Sequence, residues 1–128
     1  MSYYFAKTVE VPFAEAIDRV TAALKTRGFG VLTTIDVKAT MKAKLDVDLR
    51  PYTILGACNP AFAHKALSAE NKIGTMLPCN VVVQELESGE VEVAAVDPVA
   101  SMQGVGNVKL LPIAGEVRTQ LRQMVESL

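Results

Sequence analysis

The chain has little of what most functional classes need. Only 5% of its 128 residues are aromatic, it holds one histidine and two cysteines, and its 13 basic and 14 acidic residues leave a net charge of −1. No cluster of Lys and Arg stands out, so the basic stripe and stacking rings of a nucleic-acid binder are missing. No run approaches the roughly 18 apolar residues of a membrane span. The first residues, Met-Ser-Tyr-Tyr-Phe-Ala-Lys, lack a charged segment followed by an apolar one, so no signal peptide is expected there. Two cysteines can close at most one bridge, which is no disulfide framework. These absences predict a cytoplasmic protein with reduced thiols, off the membrane and away from nucleic acid.

What is present is apolar. Half of the residues are hydrophobic and the mean hydropathy is positive, which is high for a soluble monomer. Surplus apolar surface is commonly hidden between subunits, so a homodimer is expected. At 128 residues one domain, 1–128, is expected, large enough to bury roughly two-thirds of its unfolded surface.

Alternation and helical spacing give the order of elements. Tyr3, Phe5, Val9 and Val11 alternate as a strand, with Lys7 interrupting. Phe13, Ala16, Ile17, Val20 and Leu24 then form one helical stripe, opened by Pro12 and closed by Gly28. Phe29 to Ile35 alternates again, and Asp36 can cap a short helix carrying Val37, Met41 and Leu45. Its lysines read as a solvated face. Tyr52 to Ala57 is apolar at successive positions and reads as a strand buried on both sides. Asn59-Pro60 starts a helix whose apolar side is Phe62, Ala63, Ala66 and Leu67. Val81 to Leu86 and Val91 to Val96 make a hairpin around Glu87-Ser88-Gly89-Glu90. Asp97-Pro98 repeats the capping pattern, and Ile113 to Leu128 forms the last helix. The hairpin predicts an α+β fold: a single-layer mixed or antiparallel sheet of about five strands, packed by two main helices plus short ones. Gly104-Val105-Gly106 lacks the third glycine and the preceding strand of a dinucleotide fingerprint.

The chemistry-bearing residues gather in one part of the sequence, Cys58-Asn59, His64, Cys79-Asn80 and Asp97. Cys58 lies before a helix start, where a thiolate is stabilised. If the strands carrying Cys58 and Cys79 are neighbours, the two sulfurs can face one end of the sheet. With His64 or Asp97 they would suit a soft or borderline metal, zinc or copper. They could equally form a reversible redox dithiol, with Cys58 as the nucleophile of a thiol enzyme or redox protein. A third reading makes both small core residues, since free cysteine is among the most buried residue types. Their spacing matches no common zinc pattern. Exposed His64 and capping Asn59 and Asp97 are the plainer alternatives at those positions. No serine–histidine–acid set, paired carboxylates or phosphate loop is visible.

The run Tyr52-x-Ile54-Leu55-Gly56-Ala57-Cys58-Asn59-Pro60-x-x-Ala63-His64-Lys65-Ala66-Leu67, then Ile73-Gly74-x-x-Leu77-Pro78-Cys79-Asn80-Val81-x-Val83, then Val96-Asp97-Pro98, resembles the bacterial and archaeal family of domains of unknown function numbered 302. The likeness spans nearly the whole chain, Gly28-Phe29-Gly30 and the closing helix included. It implies an α+β fold of the TT1751-like type, a small dimeric domain and no assigned activity. Together these readings predict a homodimeric module that holds a soft metal ion or small ligand near Cys58, Asn59, His64, Cys79, Asn80 and Asp97, rather than an enzyme.

Overall fold

The alternating segments become five strands in the computed structural model, which describes residues 2–128. They are β1 (Tyr4–Val9), β2 (Gly30–Asp36), β3 (Tyr52–Cys58), β4 (Cys79–Glu85) and β5 (Val91–Val96). All pair antiparallel in the order β1-β5-β4-β3-β2. From β2 to β5 the chain is a meander. The opening β-α-β unit is different, because β1 and β2 lie at opposite edges and the helix between them crosses the sheet.

That helix, α1 (Phe13–Lys25), buries Ala16, Val20 and Leu24, which repeat at four residues and so share one side. It ends before Gly28, whose φ of 80° lets the chain turn into β2. The closing helix, α5 (Leu111–Glu126), buries Ala114, Val117, Leu121, Met124 and Val125. Both lie on one face of the sheet. Against them stand Val9, Leu55, Ala57, Val81, Val83, Val93 and Ala95, which form one core with the helix residues. Every second strand residue faces this layer. Burying each valine or leucine contributes roughly 1.5–3 kcal/mol, which makes this face the main source of stability.

Lys7 interrupts that inner face for a reason the sequence did not give. Its ammonium donates to the carbonyls of Glu126 and Leu128, at the C-terminal end of α5. A cation there satisfies carbonyls that the helix leaves unpaired and opposes the negative end of its dipole.

The other face is the less covered one. Tyr52 and Ile54 are only half-buried, so β3 is covered on one side and not, as expected, on two. α2 (Val37–Leu45), capped by Asp36 as expected, buries none of its residues. At the β2 edge Leu32 is 67% exposed, beside a shift in pairing between Val31 and Thr33. α3 (Pro60–Ala69) buries Ala66, while Leu67, expected on its apolar side, is exposed. A short α4 (Pro98–Ser101) follows β5. Among the described residues no helix is long and apolar enough to cross a membrane.

Candidate functional site

The pairing of β3 with β4 decides what the two thiols can do. Ala57 pairs with Cys79 and Gly56 with Asn80. Successive strand residues point to opposite faces, so Cys79 shares the inner face with Ala57. Cys58, one position further on, alternates to the open face with Gly56. Burial agrees with this. Cys79 is 8% exposed and belongs to the core cluster, whereas Cys58 is half-buried and stands outside it. Burial pushes the Cys79 thiol from 9.0 up to about 11, and the neighbouring Cys58 adds a smaller push in the same direction. At neutral pH Cys79 is therefore a protonated thiol, a poor nucleophile and a poor metal ligand.

Cys58, Asn59 and Cys79 border a cavity of about 30 Å³ between the strand ends and helices α3 and α5. Its walls are apolar, including Phe29, Phe62, Ala66, Ile113 and Val117. That space holds one or two water-sized groups at most. Asn59 points into local structure. Its Oδ1 accepts from the N–H groups of Ala61 at 3.1 Å and Phe62 at 3.4 Å, which caps α3. Asp97 does the same for α4, accepting from Val99 N–H at 3.0 Å, and its second oxygen accepts from Arg118 Nε at 3.0 Å. The Arg118 guanidinium also lies over the Phe5 ring, 5.4 Å from its centre. Asp97, 7% exposed, is thus a buried structural acid.

His64 is exposed on α3 and does not line the cavity. The helix turns Phe62, Ala63 and Ala66 toward the cavity and carries His64 out of it. Among the described residues no three His, Cys, Asp or Glu side chains gather in a way that could hold a metal ion. The expected zinc or copper set of Cys58, Cys79 and His64 is therefore not assembled. Strand alternation turns the two thiols toward opposite faces although both border the same cavity, and helical phase removes the imidazole.

A larger concavity than this cavity lies on the open face and was missed by sequence reasoning. A trough of about 420 Å³ runs over Val82, Ala94 and Val96, with Asn80, Gln84 and Glu92 along it. This volume falls within the roughly 300–1,000 Å³ of small-molecule sites. All three tyrosines of the chain line it. Tyr3 and Tyr4 meet edge to face, 5.0 Å between centres. Arg50 lies over the Tyr52 ring at 5.2 Å and donates from Nε to Gln84 Oε1 at 2.8 Å. Gln84 Nε2 in turn donates to Glu92 Oε1 at 3.2 Å. Of the six candidate residues, only Asn80 lines this trough. The usable signal was local: Val82, Ala94 and Val96 are apolar at positions where a solvated sheet face alternates to polar.

A family model described as "Domain of unknown function DUF302" matches residues 5–128. Among solved structures the chain is similar to the uncharacterized conserved protein DUF302 from Bacillus stearothermophilus, with 27% identity, 98% of each chain covered and a TM-score of 0.91. No curated protein matches it.

Proposed function

The chain belongs to the DUF302 family, and from that premise we propose that it is a binding module that seats a small molecule on the open face of its sheet. The observation that carries this reading is the trough of about 420 Å³ lined by Tyr4, Tyr52, Asn80 and Glu92 over an apolar floor. The cavity beside the cysteines is more than ten times smaller, which favours a core role for Cys79 over thiol or metal chemistry. Asn59 and Asp97 already serve as helix caps. The test is a fragment screen followed by amide NMR on the whole chain. Fragments are expected to shift Val82, Ala94 and Val96 and to lose affinity in Tyr52→Ala. Shifts confined to the surroundings of Cys58 and Phe62 would move the site to the thiols and overturn the reading.

We also propose that the module works as a homodimer in a reducing cytoplasm. Support comes from the positive mean hydropathy and from exposed Leu32, Ile35, Leu45 and Val47 on β2, on α2 and just after it. Sedimentation velocity is expected to give a dimer that Leu32→Lys with Ile35→Lys converts to monomer. A monomer at all concentrations for the unaltered chain removes this part.

A further inference from the structure

We infer that the open-face trough is selective for small organic cations: a protonated amine carried on a flat apolar body. This rests on the open face being the binding site. Among the described residues that line the trough, Glu92 alone is charged. It is half-buried, and its partner is the neutral amide of Gln84, 3.2 Å away. None of the ion pairs among the described residues includes it. Arg50 lies beyond that amide and is engaged by Gln84 and by the Tyr52 ring. A partly desolvated carboxylate without a basic partner favours a cation, which supplies both charge and N–H donors. Beside Tyr52, which Arg50 already covers, the rings of Tyr3 and Tyr4 add negative faces that attract ammonium groups. Val82, Ala94 and Val96 make an apolar floor for the body of such a ligand. An anion would meet the carboxylate with nothing in the lining to neutralise it.

The test compares three probes that share a phenyl body: 2-phenylethylamine, 2-phenylethanol and 3-phenylpropionate, titrated calorimetrically and by amide NMR into the whole chain. The amine is expected to bind about tenfold more tightly than the alcohol, with the carboxylate weakest. Glu92→Gln keeps the side-chain shape and should bring the amine down to the alcohol's affinity. Ala94→Asp, which adds a second carboxylate to the floor, should strengthen the amine and so tests the idea independently of how Glu92→Gln folds. Equal binding of amine and alcohol, indifferent to Glu92→Gln, or tightest binding of the carboxylate, overturns the charge selectivity while leaving the face as the site. No shift at Val82, Ala94 or Val96 with any of the three probes overturns the site as well.

Discussion

Cys58-Asn59 and Cys79-Asn80 are the same dipeptide on neighbouring strands, used in opposite senses. In the first, the cysteine faces the open side and the asparagine turns inward to cap α3. In the second, the cysteine is sealed in the core and the asparagine lies exposed on the tyrosine trough. Composition does not separate them, since each follows a short apolar stretch. The difference is one step of strand phase. Because Cys79 pairs with Ala57 rather than with Cys58, every side chain in one doublet faces opposite to its counterpart. Identical letters thereby give a structural thiol and a surface thiol, a cap and a lining group.

The largest effect that would sharpen this contrast is alkaline. The Cys79 thiol titrates at about 11 in the folded protein, against 9.0 when unperturbed. Below pH 9 both states keep the proton and the stabilisation is whole. Between 9 and 11 the unfolded chain gives up its proton first, so stability falls as pH rises. The loss should approach roughly 2–3 kcal/mol above the folded value. Urea unfolding from pH 8 to 11, with Cys79→Ala as reference, reads it directly. The variant should lack this component and Cys58→Ala should keep it. Matching slopes in all three proteins would break the contrast.

Serine in place of each cysteine comes next. At position 79 a hydroxyl would sit in the apolar core without a partner, costing about 1–3 kcal/mol. At position 58, half-buried on the open face, the change should stay within about 0.5–1 kcal/mol. Alkylation at neutral pH should modify Cys58 in the native protein and Cys79 only after unfolding. Equal rates would put both thiols in one environment and restore the paired site.

Why this was not legible beforehand follows from what is local and what is not. The stripe of α1, the Asn59-Pro60 and Asp97-Pro98 caps, and the hairpin at Ser88-Gly89 all depend on residues within a turn or two of each other. Each appears where the spacing predicts it. The α+β class follows from them. That β3 and β4 are neighbours was also foreseeable. Their register was not, because sliding one strand by a single residue leaves the sequence unchanged and inverts every side chain. The trough is legible only in part, through the apolar outward positions Val82, Ala94 and Val96. Its lining comes from Tyr4, Tyr52, Val82 and Ala94, on four different strands. Lys7 looked like a flaw in a strand because its partners are the carbonyls of Glu126 and Leu128, more than a hundred residues away.

A smaller perturbation tests the surroundings of Cys58. Gly30 and Gly56 both border it, one across the β2 pairing and one along β3. A Cβ at Gly56 would run into Thr33 Oγ1 and stand 2.7 Å from Pro78 Cγ, whereas one at Gly30 meets nothing within 4 Å. Gly56→Ala should therefore cost about 1–3 kcal/mol, part of it recovered by adding Thr33→Ala. Gly30→Ala should fall within about 0.5 kcal/mol. Thermal melts of the three variants measure this, and similar losses at both glycines would contradict the asymmetry around Cys58.

The asparagines carry the smallest difference and the most specific one. Asn59 Oδ1 accepts two N–H groups that α3 would otherwise leave unpaired. Asn59→Ala removes both bonds and should cost about 1 kcal/mol. Asn59→Asp keeps an acceptor and adds a negative charge at the positive end of the helix, so it should retain the native stability within a few tenths of a kcal/mol. Asn80 is exposed and caps no helix, so Asn80→Ala should stay within about 0.5 kcal/mol. Asn80→Asp then separates stability from binding. It leaves the melt unchanged and places a further carboxylate along the trough, which should tighten the phenylethylamine probe. The same Asp change thus acts on folding at one doublet and on ligand at the other. Chemical denaturation of the four variants, paired with calorimetry on the two Asp forms, reads both quantities. A stability loss at Asn80 as large as that at Asn59 would mean the second doublet is also built into the fold, and the open face would lose its claim to be a binding surface there.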